Sequence, residues 1–265
     1  MSGLALKISG YTAPAELKLP KLYKDAVIDT GSVYAYDCGM IESWPSQANA
    51  AIGSNWLNLV EGGESAVFSR AQAFTSDSGF AMTVGIGEYI SLPNLAKLTD
   101  YNGCFAVGVW LKINAQTQVN TSVFGWYNRG TPAGNGIASA EGGWGMRHAA
   151  GGSHYLICGD KTVSLTGNTD IRQVAIARVK DASGNYFAAF YRNGVRIGLQ
   201  AMSATMLQPG TPPANAVLGD VQGTGDYGYW LGSIKRSWFT RKDFTVEEMD
   251  AKVLKDYNMN KGFYP

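Results

Sequence analysis

The sequence predicts an all-β sandwich of the jelly-roll type, with an extended N-terminal arm and one short C-terminal helix. Short apolar and aromatic runs follow one another along the chain, and turn residues separate them at short intervals. Only one segment has the periodicity of an amphipathic helix. Many short strands between Gly- and Asn-containing turns are typical of sandwiches and jelly rolls. The 33 glycines follow no collagen-like period, so they fit tight turns.

Residues 1–30 differ from the rest of the chain. Pro14 and Pro20 enclose apolar residues that alternate with charged ones, and each proline favours an extended conformation in the residue before it. The segment is therefore either an extended arm or a first edge strand, and we take it as an arm. Because an exposed apolar row needs a receiving surface, we expect this arm to dock on a partner. Four residues would form the docking row: Leu17, Leu19, Leu22 and Tyr23.

The body of the sandwich is expected over residues 31–256. Its clearest segment runs from Val174 to Gln200 and reads as three strands with two turns between them. The second of these turns contains Asn193-Gly194, and Asn-Gly between apolar runs is a strong hairpin signal.

One helix is predicted near the end of the body. Thr245 and Glu248 have the spacing of a capping box, which marks a helix N-terminus. A single apolar face would follow, made of Val246, Met249, Val253 and Leu254. Residues 257–265 are expected to form a C-terminal tail.

These segments resemble, in their order, the laminin G-like and concanavalin A-like jelly-roll family. Tyr191–Val195 is similar to the "YVNGV" hairpin of that family, and Phe105–Leu111 is similar to its "FTISAWV" strand. Leu231–Trp238 followed by the helix at Thr245 is similar to its closing motif. Such domains are common in bacteriophage structural and attachment proteins. The resemblance implies a protein that binds or builds, and we expect no enzymatic activity.

Candidate catalytic and metal sites are few. Glycoside hydrolysis needs paired carboxylates, which would alternate along one strand, and no such string occurs. Calcium prefers many oxygen ligands, and the best available pair is Asp220 and Asp226, which ordinary turn chemistry also explains. Cys38, Cys104 and Cys158 lie far apart without metal-ligand spacing, which favours buried, reduced cysteines. We therefore expect no metal and no cofactor.

Two segments place aromatic rings beside polar planar groups, a combination typical of sugar sites. They supply five candidate glycan-binding residues: Trp126, Tyr127, Arg129, Trp144 and His148. Packing in the core explains Trp126 and Trp144 better, because strand aromatics usually pack there.

Charge and composition limit the partners. The formal net charge is +1, from 22 basic and 21 acidic residues without a basic stripe, which argues against nucleic acid. No stretch is long and apolar enough for membrane insertion, and the N-terminus lacks a signal-peptide pattern. We expect a virion structural component made in the bacterial host cytoplasm: a bacteriophage tail, baseplate, fibre or capsid-decoration protein that docks on other virion proteins. The alternative is a lectin-like adhesin that binds host surface glycans.

Overall fold

The computed structural model describes residues 25–83, 88–99, 101–114, 121–127, 142–148, 153–165, 171–209, 215–220 and 230–263. The predicted docking row lies outside these ranges, as do two of the predicted site residues, Arg129 and Asp226.

Two antiparallel sheets make up the sandwich. The first, which we call the helix sheet, contains β1 (Ser32–Asp37), β4 (Phe74–Thr75), β5 (Gly79–Met82), β7 (Phe105–Ile113), β12 (Gln173–Lys180), β13 (Tyr186–Arg192), β14 (Val195–Ala201) and β16 (Gly232–Thr240). The second, which we call the opposite sheet, contains β2 (Asn55–Trp56), β3 (Ala66–Phe68), β6 (Tyr89–Ser91), β8 (Thr121–Trp126), β9 (Trp144–His148), β10 (His154–Cys158), β11 (Lys161–Ser164) and β15 (Val217–Gly219). A single short 3-10 helix, Asn94–Ala96, is also found in the described part of the chain.

The order along the helix sheet is β14-β13-β12-β7-β16-β5-β4, and β1 also pairs with β16. The order along the opposite sheet is β11-β10-β9-β8-β15-β6-β3-β2. The all-β sandwich fold predicted from the sequence is therefore confirmed, and its strands span the expected limits from Ser32 to Thr240.

Strand alternation divides the helix sheet into two different faces. On β12, Val174 and Ile176 join the core between the sheets, whereas Ala175 and Ala177 face the other way. The inner core is rich in aromatic rings in edge-to-face contact; the Trp56 and Phe80 ring centres, for example, are 4.9 Å apart. The small side chains on the outer face let a helix pack closely against it.

The predicted hairpin joins β13 and β14. Asn193 and Gly194 both have positive φ, 49° and 81°, as the two central residues of a type I′ turn require. The Asn193 side chain also accepts hydrogen bonds from the backbone N–H groups of Arg172 and Gln173. A Cβ at Gly194 would lie within 3 Å of Tyr257, so glycine is needed there for space as well as for conformation.

The predicted helix is α1 (Val246–Asn260), and it covers the outer face of the helix sheet. Its capping box is confirmed: the Thr245 hydroxyl accepts from the Glu248 N–H, and the Glu248 carboxylate accepts from the Thr245 N–H. No described helix is long and apolar enough to cross a membrane.

Two details of the helix prediction are wrong. Leu254 is 46% exposed, and the fourth buried position of α1 is Asp256. The predicted tail also begins too early, because α1 continues to Asn260. Tyr257 stacks on the ring of Trp110 with 5.7 Å between ring centres.

Only residues 25–30 of the predicted arm are described, and they pack on the body. Val27 and Ile28 are buried in the cluster beneath α1. Asp29 pairs with Lys252 of α1 at 3.0 Å and accepts a hydrogen bond from Thr240. These residues are part of the sandwich, so the predicted arm of residues 1–30 extends too far into the body.

Deleting residues 1–30 is therefore expected to destabilise the body, whereas deleting residues 1–24 is not. The longer deletion removes two buried apolar side chains, each contributing about 1.5–3 kcal/mol, together with Asp25 and Asp29. Thermal unfolding of both truncated proteins, followed by circular dichroism, measures the difference. Equal melting temperatures would contradict this assignment.

Candidate functional site

A buried arginine lies where β1, β16, α1 and the chain before β1 meet. Arg236 of β16 points towards α1, and its side chain is 1% exposed. Its Nη1 is 2.8 Å from Asp37 Oδ2, and its Nε is 3.1 Å from Asp256 Oδ1. Nη1 and Nη2 also bind the two oxygens of Asp25, at 2.6 and 2.7 Å. One guanidinium thus holds three carboxylates; we call this set the Arg236 network.

Asp256 is the wholly buried member of the network, and the surrounding donors satisfy both of its oxygens. Oδ2 accepts from the indole N–H groups of Trp110 and Trp238, both at 2.9 Å, and from Gln173 Nε2 at 2.7 Å. Oδ1 accepts from Asn260 Nδ2 at 3.0 Å in addition to the arginine. A buried carboxylate is tolerated when it is hydrogen-bonded in this way.

Ion pairing favours the charged forms of Asp25 and Arg236. Burial alone would raise the pKa of Asp25, but the hydrogen bonds and the charge of Arg236 lower it below the usual 3.8. Burial alone would lower the pKa of Arg236, but the three carboxylates raise it well above its usual value. Three carboxylates around one guanidinium leave a surplus of two negative charges.

A pocket of about 390 Å³ opens beside the network. Its size lies in the range of small-ligand sites. Phe263, just after α1, is 75% exposed at this pocket. The described lining residues are Asp25, Asp37, Gly39, Met40, Gln47, Ser76, Asn260 and Phe263.

The amide side chains of the pocket are oriented by the fold. Gln47 Nε2 donates to the carbonyls of Cys38 and Trp44, and this helps to hold Gln47 at a positive φ of 44°. Asn260 Nδ2 donates to the carbonyl and the carboxylate of Asp256. Both amide nitrogens are therefore used, and the amide oxygens remain as acceptors. With two carboxylates beside them, the pocket is rich in acceptors.

The glycan-binding residues predicted from the sequence lie elsewhere. Trp126, Tyr127, Trp144 and His148 are all buried, and none of them lines the pocket. Trp126 and Trp144 face each other across β8 and β9, and the Trp144 indole donates to the Ala96 carbonyl at 2.9 Å. These positions fit the core alternative.

Of the predicted Asp220–Asp226 pair, only Asp220 lies in the described part of the chain. Asp220 is buried after β15, and its backbone N–H bonds the Glu88 carbonyl. Among the described residues, no group of three or more His, Cys, Asp or Glu side chains is placed to hold a metal. All three cysteines are free and buried, and burial raises the pKa of each thiol.

Comparison with known proteins supports the fold and identifies no family. The sequence matches no family model and no curated protein. A mutant Trypanosoma rangeli sialidase with trans-sialidase activity aligns with 91% of this chain at 13% identity and a TM-score of 0.59. T. rangeli sialidase in complex with sialic acid aligns with 91% at 11% identity and a TM-score of 0.58. This chain spans about a third of those proteins, 35% in each case.

The sialidase likeness corrects one expectation. The sequence predicted no enzymatic activity, partly because of the fold. That prediction is wrong, because the same fold occurs within sialidase chains. At 10–13% identity the likeness shows the fold alone. It assigns no activity to this chain.

Replacing Arg236 by methionine is expected to lower the free energy of unfolding by about 3–5 kcal/mol, because three buried carboxylates lose their counter-charge. Arg196→Met is the matched control, since Arg196 pairs with Asp250 of α1 at 3.5 Å with side chains 33% and 39% exposed. Its loss should be about 1 kcal/mol or less. Urea unfolding of the two variants measures both values, and similar losses would contradict the role of the network.

The Arg236 network also predicts a pH dependence. Because the folded-state pKa of Asp25 is lowered from 3.8, its ion pair contributes stability above that pH. This contribution is lost as the pH falls through the folded-state value. Urea unfolding from neutral pH downwards should show a smaller acid-induced loss in Asp25→Asn than in the unmodified protein. Parallel curves would exclude Asp25 as a source of acid sensitivity.

Proposed function

We propose that this domain binds a carbohydrate in the pocket beside the Arg236 network. The observation that carries the proposal is the combination, in one pocket, of oriented hydrogen-bond acceptors with an exposed aromatic ring. Specific small-molecule sites combine apolar walls with a few well-placed polar groups in this way.

The acceptors suit the hydroxyl groups of a sugar. Arg236 orients the Asp25 and Asp37 carboxylates before any ligand arrives, so little ordering is needed on binding. Hydrogen bonds from a hydroxyl to an ionised carboxylate are stronger than those between neutral groups. Phe263 and Met40 supply apolar surface for the C–H groups of the ring.

The charge of the network narrows the class of sugar. A surplus of negative charge beside the pocket disfavours ligands that carry a carboxylate and favours neutral or amino sugars. This preference differs from the sialic acid bound in the T. rangeli structure. The proposal therefore rests on the pocket of this chain and not on the neighbour's ligand.

A glycan array with neutral, amino and acidic sugars tests the proposal, followed by calorimetry on the sugars that bind. Phe263→Ala, which removes the exposed ring, and Ser76→Tyr, which fills the pocket, should each weaken binding roughly tenfold or more. Met259→Ala is the matched control, because Met259 is a half-exposed residue of α1 that does not line the pocket.

Three results would contradict the proposal or its charge argument. An array without any bound sugar would end it. Binding that survives both pocket variants would place the site elsewhere. Preferential binding of acidic sugars, lost in Ser76→Tyr, would leave the pocket in place and overturn the charge preference.

A virion role is our second proposal, and it concerns residues 1–24. Its support is the sequence resemblance together with the anchoring of Asp25 by Arg236, which fixes the start of the described chain to the body. A protein lacking residues 1–24 should remain folded and fail to join the bacteriophage particle. Full incorporation of that variant would place the docking surface elsewhere.

A further inference from the structure

Three buried polar side chains form a row across the opposite sheet. Thr121 begins β8, His148 ends β9 and His154 begins β10. Thr121 pairs in register with His148, and His148 pairs with His154. Residues paired in this way point to the same face of a sheet. The two imidazole centres are 4.7 Å apart.

This row points into the sandwich. By strand alternation, His148 shares its face with Met146, and His154 shares its face with Leu156, and both of those residues belong to the core between the sheets. Thr121, His148 and His154 are all more than nine-tenths buried.

Within the described part of the chain, one polar atom of each side chain has no hydrogen-bond partner: Thr121 Oγ1, His148 Nδ1 and His154 Nε2. Leaving one buried polar atom unpaired costs about 1–3 kcal/mol, so three in one row require an explanation. Burial lowers the pKa of both imidazoles, that of His154 to about 4 with a further contribution from His148. A neutral imidazole carries one N–H group and one nitrogen lone pair.

We propose that this row binds a divalent transition-metal ion of the zinc type through His148 and His154. Neutral imidazole nitrogens are preferred ligands of such ions. Thr121 and water would complete the coordination. Beside the row, the described residues offer no third His, Cys or carboxylate, so binding should be weaker than at a full structural zinc site.

The spacing of the two rings suits a shared ion. A metal about 2.1 Å from each nitrogen lies about 3.2 Å from each ring centre. Ring centres 4.7 Å apart then correspond to an angle of about 95° at the metal, which is compatible with two ligands of one ion. The competing occupant is an ordered water molecule, which would satisfy the same three atoms.

The sequence makes the test specific, because the chain contains only two histidines. Nitrogen NMR of the imidazoles therefore reports on this row alone. Zinc chloride added to the metal-free protein should shift both imidazole signals together and saturate at one equivalent. His148→Gln and His154→Gln should each lower the zinc affinity roughly tenfold or more by calorimetry.

Cys158→Ala is the control. Cys158 lies on β10 with His154 and is also buried, and a thiolate elsewhere on the strand would be the main competing zinc ligand. This variant should keep the affinity of the unmodified protein. If neither imidazole signal moves up to about 1 mM zinc, or if only one moves, the proposal fails. If a variant does not fold, the joint shift in the unmodified protein decides.

Discussion

One guanidinium joins the two ends of the described chain. Arg236 binds Asp25, 211 residues away in sequence, and Asp37, 199 residues away, while Asp256 reaches it from α1. Burying ions is unfavourable unless each has a partner with good geometry, and removing one partner leaves the others uncompensated. The helix, the first strand and the segment before it are therefore held as one unit. Each of the three contributes one carboxylate whose counter-charge is Arg236 of β16.

The same network explains why the pocket lies where it does. The outer face of the helix sheet is mostly sealed by α1 over alanines such as Ala175 and Ala177. Where α1 ends, Asp25 and Asp37 remain at the surface of the pocket, already ordered by the arginine. Because folding already fixes these two carboxylates, they would lose less conformational entropy on binding a ligand than flexible carboxylates would. In the proposed site, Asp25 and Asp37 both stabilise the fold through Arg236 and line the pocket.

Local signals predicted the fold, and the site depends on contacts that are not local. Asn193-Gly194 and the capping box at Thr245 act within a few residues, so the hairpin and the helix start could be read from the sequence. The apolar side chain of Leu254 predicts a place on the buried face, yet Asp256 occupies that place. Asp256 continues the helical spacing of Val246, Met249 and Val253. A charged residue within that apolar stripe is the sequence signal for a buried ion. Its partner on β16 could not be identified without the tertiary structure.

The overall charge of the chain conceals the charge of the pocket. The sum over all residues is +1, whereas three carboxylates surround one guanidinium beside the pocket. Charges separated by more than about 8 Å are largely screened at physiological ionic strength. A ligand in the pocket would therefore respond mainly to nearby ions such as Asp25 and Asp37. Composition is informative about partners that cover a large surface, such as nucleic acid, and only the local arrangement of ions is informative about a small ligand.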